Sequence, residues 1–223
     1  MEVLHIVKFL LLVVSCFILC HSLEVRPMHY EEYSEMCKTQ SKHPYFDIQQ
    51  VVGDTWRIYY TWNAQMEHKC LDLNVKNATP MISQRIYNDM YEYMQTQPEW
   101  DAATLYLTMG TAKHELLLFA DQGSEGSFLG VPNVAKDGNI TPGRYMVPLL
   151  KFFLKLVHEG KYLLMMDCHM GVASLMSRER PPYTAELVEV AKSLNIGEGS
   201  LACTFDRRKD QQDFIEKPYA FNM

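Results

Sequence analysis

The residues with the most chemistry to offer are six cysteines: Cys16, Cys20, Cys37, Cys70, Cys168 and Cys203. A free, activated thiol would make a nucleophile, and Cys168 stands next to His169. Neighbours on a strand face opposite ways, however, and a paired cysteine carries no thiolate. Cys16 and Cys20 fall inside an apolar leader. The four that remain are an even set with three alternative pairings, and they read as bridges. The eight histidines are scattered without the spacing of metal ligands. His114-Glu-Leu-Leu-Leu lacks the second histidine of a zinc-protease helix. Gly197-Glu-Gly-Ser-Leu-Ala202 imitates a dinucleotide fingerprint, but it follows a helical pattern instead of a strand. A phosphate there would meet no helix N-terminus. The chain contains no Walker loop and no Gly-x-Ser-x-Gly elbow. These residues predict a protein that is not an enzyme, holds no metal and requires no cofactor.

The leader sets the expected compartment. Residues 1–22 carry Lys8 ahead of an apolar run from Phe9 to Cys20, which is too short to span a bilayer. Small residues follow, and cleavage after Ser22 is expected. The reading is a secreted, extracellular protein with no stable membrane insertion. Removing the leader takes away Glu2 and Lys8 together, so the net charge stays at -6. That balance argues against a nucleic-acid partner, which needs a concentrated basic surface. Asn77-Ala-Thr79 and Asn139-Ile-Thr141 are glycosylation sequons that suit a secretory route.

The elements that must position any site are mostly strands. Residues 23–50 read as a polar, irregular arm, 51–207 as one folded unit, and 208–223 as a tail. Thr55-Trp-Arg-Ile-Tyr-Tyr-Thr-Trp62 is dense in aromatic and β-branched residues. Strict alternation puts Trp56, Ile58, Tyr60 and Trp62 on one face. Further strand-like runs fall at roughly 69–76, 81–93, 103–112, 114–121, 144–154, 160–168 and 171–178, with Gly, Asn, Asp or Pro clusters between most of them. One helix follows, with Thr184 as expected N-cap and a stripe of Leu187, Val190, Ala191 and Leu194. Asn195-Ile-Gly197 ends it. Eight strands followed by one helix exclude an interleaved parallel α/β plan. A sandwich and an up-and-down barrel remain. The barrel removes exposed sheet edges and can enclose one small ligand.

Several short motifs resemble the lipocalins, in particular secreted insect members related to bilin-binding proteins. Gly53-Asp-Thr-Trp56 looks like the Gly-x-Trp motif of the first strand, with one extra residue. Tyr162-Leu-Leu-Met-Met-Asp-Cys168 resembles their seventh strand, and Leu175-Met-Ser-Arg178 their last. Cys70 and Gly110-Thr-Ala-Lys113 also have counterparts there. The Thr-Asp-Tyr loop between strands six and seven is replaced by His158-Glu-Gly-Lys, which marks a divergent member. The likeness spans about residues 37–207.

This resemblance implies an all-β, eight-stranded antiparallel up-and-down barrel with one C-terminal helix packed outside. It implies the bridges Cys37–Cys168 and Cys70–Cys203. It also implies a base formed by Gly53, Trp56 and Arg178, with the guanidinium across the indole. Arg180 competes for that role. Strand parity and family architecture together give a candidate cavity lining of Tyr60, Trp62, Tyr87, Leu107, Leu117, Phe119, Tyr145, Val147, Leu164 and Met166. As a set, Tyr87, Met90, Tyr91, Met94, Met109, Met146, Met165 and Met166 suit a pliable apolar pocket, while ordinary core filling accounts for any one of them. The expected partner is a small hydrophobic molecule: a bilin pigment, or a retinoid- or lipid-like compound. Two other readings remain, an extracellular protein whose loops bind a protein partner and a lipocalin-fold enzyme.

Overall fold

The structure, a computed structural model, describes residues 30–110, 114–122, 125–137 and 146–204. Among these, eight strands close an antiparallel barrel: β1 (Thr55–Trp62), β2 (Asp72–Asn77), β3 (Ala103–Met109), β4 (His114–Ala120), β5 (Ser127–Pro132), β6 (Leu150–Val157), β7 (Tyr162–Asp167) and β8 (Val172–Ser177). Each strand pairs with its successor, and β8 returns to β1. A short ninth strand, β9 (Ser200–Leu201), lies outside and pairs only with β1, Tyr60 opposite Leu201. Among the described residues four α-helices accompany the sheet, α1 (Tyr30–Ser41), α2 (Ile48–Val51), α3 (Pro80–Met90) and α4 (Thr184–Ser193), with three single-turn 3-10 helices. No helix among the described residues is long and apolar enough to cross a membrane.

The up-and-down order puts the β1–β2, β3–β4, β5–β6 and β7–β8 connections at one end, the mouth. The start of β1 and the other three connections form the base. The elements differ from expectation at several places, two of which bear on the strand count. Residues 81–93, read as a strand, form α3 and a following short helical turn. Thr79 caps α3, its Oγ1 accepting from Ile82 N at 3.3 Å, and Pro80 opens it. Ile86 and Met90 then fall four apart on its buried face. The strand passed over is β5, where Gly130 and Pro132 look like turn residues. The two differences offset each other, so the strand count still came to eight. The sixth strand begins at Leu150 instead of 144, and part of the arm expected to be irregular is helical. The α4 stripe is buried as its spacing predicts, although the helix starts at Thr184 with Tyr183 at the cap position.

The apolar side chains separate into three layers. The inner one receives residues from all eight barrel strands, among them Trp56, Leu73, Leu107, Leu118, Phe128, Leu154, Leu163 and Met176. An outer layer under α1 and α4 holds Trp62, Leu164, Met166, Leu175, Leu187 and Val190. A second outer layer under α3 holds Ile86, Met90, Tyr106, Leu117 and Phe119. Two disulfides join Cys37 to Cys168 and Cys70 to Cys203. Cys168 follows β7 and Cys70 precedes β2, so both bridges fasten chain segments at the mouth end.

Candidate functional site at the barrel mouth

The base is closed by packing and by directed hydrogen bonds. Trp56 is fully buried, and its indole Nε1 donates to Val51 O at 3.2 Å. The Arg178 guanidinium lies over the ring, 4.7 Å from its centroid. The same group donates to Asp54 Oδ2 at 2.8 Å and Gly160 O at 3.0 Å. Gly53 sits at φ +89°, where a side chain would be strained, and its N–H donates to Val75 O at 2.9 Å. Arg180, the competing candidate, lies instead 3.5 Å from Asp72, beside the Arg57–Asp72 pair.

Toward the mouth the inner layer changes character. Met109, Leu116, Leu150 and Met165 face inward with Met66 and Leu71 of the β1–β2 connection, and all six are only partly buried. Below them Leu105, Leu107, Leu118 and Leu163 are fully buried. Gly130 lets the Phe152 ring cross the interior: a Cβ there would stand 2.7 Å from Phe152 Cδ2 and 3.1 Å from Leu116 Cδ1. Met165 faces Ser174 across the β7–β8 pairing, which brings one hydroxyl to this apolar rim. The arrangement can take up apolar surface and orient one polar group.

Of the expected lining residues, Leu107 belongs to this inner layer. Tyr60 and Trp62 face outward, because β1 carries a bulge between Ile58 and Tyr60. One extra residue reverses the alternation, so Ile58 stands opposite Met176 while Tyr60 stands opposite Leu175 of the outer layer. Their rings pack 4.8 Å apart, and Trp62 Nε1 donates to Gly197 O. Leu117 and Phe119 point under α3, and Leu164 and Met166 toward α4. Their neighbours Leu116, Leu118, Leu163 and Met165 take the inner places. Residues 116–119 of β4 and 163–166 of β7 are apolar on both faces because helices cover their outer sides, so alternation carries no signal there. Tyr87 is on α3, and Val147 bridges to Met94 within the α3 layer. Tyr145 and Asn139 lie outside the described residues. Asn77 is exposed at the end of β2.

One polar site was not anticipated. Glu115, on the outer face of β4, accepts from Arg85 (2.8 and 3.1 Å), Tyr106 (2.7 Å), Asn133 (2.9 Å) and Lys136 (2.8 Å). Burial pushes its carboxyl up, but the four donors outweigh burial and hold it at about 2 against an ordinary 4.5. Burial and the bond to Glu115 raise the Tyr106 phenol to about 12. The signal was legible as a lone charge in an otherwise apolar strand, His114-Glu-Leu-Leu-Leu-Phe119. The cluster ties α3, β3, β4 and the segment after β5 together. No three His, Cys, Asp or Glu residues among those described are placed to hold a metal ion.

No known family model matches the chain, and no curated protein matches it either.

Proposed function

We propose that this protein is a divergent secreted lipocalin that sequesters one small apolar molecule at the mouth of its barrel. A closed barrel with two disulfides is compatible with that role. The observation that carries the reading is the contrast within the inner layer. Six apolar side chains at the mouth stay partly accessible, whereas Trp56, Leu105, Leu107, Leu118 and Leu163 below them are buried. Exposed apolar surface inside a cup is surface that a ligand can cover, at about 25 cal/mol per Å2 removed from water. Three of the six are methionines, whose flexible thioethers fit irregular ligands such as a bilin, a retinoid or a lipid-like compound. Ser174 is the group proposed to orient the ligand's polar end. Secretion rests on the leader of residues 1–22, and glycosylation on the exposed Asn77.

The experiment is titration of the full chain with an environment-sensitive apolar fluorophore, together with mass spectrometry of material extracted from the natively purified protein. Saturable binding that weakens at least tenfold in Leu116→Glu, with the fold kept, is the expected result. A probe that binds wild type and Leu116→Glu equally would sink the reading.

A further inference from the structure

The two disulfides differ in their surroundings. Cys37 and Cys168 are both buried, at 7% and 6% exposure. In the second bridge Cys203 is fully buried, whereas Cys70 is exposed in the β1–β2 connection. A cleft of about 720 Å3 opens beside this bridge. It is lined by Glu67, His68 and Lys69, which lead up to Cys70, and by Ser200, Leu201 and Thr204 around Cys203. Lys69 brings a cation to the cleft, which favours an approaching thiolate. The Glu67 carboxylate lies 4.0 Å from His68 Nε2. Exposed bridges are the ones that exchange with thiols, and enclosed bridges resist.

The segment that Cys203 fastens is a strap along the mouth end of the barrel. Its strand β9 is only two residues long, with Ser200 opposite Thr61 and Leu201 opposite Tyr60. Ala202 N donates to Tyr59 O at 2.8 Å, and Ala202 is fully buried in the inner layer. Thr204 N and Thr204 Oγ1 both donate to Glu67 O at 3.0 Å. Cys203 itself sits at φ +55°, in the left-handed region that strains a cysteine. The strap also meets the accessible rim. Cys203 N donates to Met66 O at 3.4 Å, and Leu71 follows Cys70 directly. Met66 and Leu71 are two of the six partly accessible side chains at the mouth.

We propose that Cys70–Cys203 is a thiol-exchangeable bridge, opened from the cleft by a small thiol such as glutathione, and that opening it frees the 200–204 strap from the mouth. The thiolate attacks Cys70 Sγ and forms a new S–S bond with it. The Cys70–Cys203 bond breaks, and its electron pair leaves on Cys203, which takes a proton from water. The incoming thiol is thereby oxidised and Cys203 reduced. That the freed strap loosens the wall around a bound apolar molecule rests on the binding function proposed above.

The test treats the full chain with reduced glutathione, quenches with N-ethylmaleimide and maps the peptides without reduction. Cys70–Cys203 should open about tenfold faster than Cys37–Cys168 or better, with any glutathione on Cys70 and maleimide on Cys203. Hydrogen exchange at the amides of Ala202, Cys203 and Thr204 should then quicken about tenfold, with the barrel strands still protected. Cys70→Ser combined with Cys203→Ser should show the same fast strap without any thiol. Both bridges opening at one rate, glutathione on Cys203, or strap amides that stay protected after opening would each overturn the proposal. The apolar fluorophore should also leave the opened protein about tenfold faster than the intact one, the scale of a lost wall contact. Equal release from both forms would overturn the link between strap and ligand. A wild-type chain that never binds the fluorophore would sink the binding function instead, while mapping and hydrogen exchange still decide the bridge.

Discussion

The two ends of the barrel are held by different physics. At the base, Trp56 is sealed beneath α2 and stacked by Arg178, and every named contact is non-covalent. At the mouth the inner side chains are looser, and the segments around them are fastened by Cys37–Cys168 and Cys70–Cys203. A base that buries its apolar surface can be stabilised by packing. A mouth that keeps apolar surface accessible, as the proposed binding requires, is not stabilised that way, because surface left for a ligand is surface not used in folding. Covalent bridges hold such a region without filling it. Stability and proposed binding are thereby assigned to opposite ends.

The largest effect that separates the ends is at Trp56. Trp56→Ala removes a fully buried indole, its bond to Val51 and the ring beneath Arg178. It should cost about 3–5 kcal/mol in urea unfolding. Whatever fraction folds should bind the apolar probe with nearly native affinity. An affinity that collapses along with stability would break the division between the ends.

The bridges come next. Each closes a long stretch, 131 residues for Cys37–Cys168 and 133 for Cys70–Cys203. Replacing the Cys37–Cys168 pair by alanines should cost about 2–5 kcal/mol. The distribution of the loss is the sharper readout. Hydrogen exchange should quicken first in residues 168–171 and the arm, with the start of β1 still protected. Equal acceleration at both ends would erase the contrast.

Glu115 belongs to neither end, since it fastens α3 to the outer wall. Its folded carboxyl titrates near 2 and its ordinary value is 4.5. The stability it contributes is therefore fully present above about pH 4.5 and is lost as pH falls toward 2, up to about 3 kcal/mol. Glu115→Gln should lower stability at neutral pH and flatten that acid dependence. Denaturation curves at pH 7, 5 and 3 check both parts. A variant that keeps the full acid slope would place the titration elsewhere.

The strand-rich plan and the outer helix stripe of α4 were legible in local pattern, whereas the base of Gly53, Trp56 and Arg178 and the disulfide pairing were implied only by the lipocalin resemblance. Leu187, Val190, Ala191 and Leu194 repeat at helical spacing and are all buried. The lining was less legible, for a physical reason. A strand with one wet face announces its parity, but Leu116-Leu-Leu-Phe119 and Leu163-Leu-Met-Met166 are covered on both sides. In β1 the bulge at Tyr59 broke an alternation that looked regular. Residues 81–93 read as a strand because their aromatic and β-branched content favours strands, while Thr79-Pro80 and the Ile82, Ile86, Met90 spacing specify a helix. Caps and spacing outweighed composition there.

The smallest effect is the one that separates the ends most directly. Met176 and Met165 both face inward from neighbouring strands, Met176 opposite Leu163 and Met165 opposite Ser174. Met176 is 1% exposed, whereas Met165 is only partly buried. Met176→Ala leaves a cavity in a packed region and should cost about 2 kcal/mol or more. Met165→Ala loses contacts that water already shares and should cost under about 1 kcal/mol. The order reverses for binding, since truncating Met165 removes wall from the proposed site and Met176 lies beneath it. Met165→Ala should weaken the apolar probe more than Met176→Ala does. If the two methionines rank the same way in both measurements, the accessible ring at the mouth is only loosely packed core, and the ligand lies elsewhere.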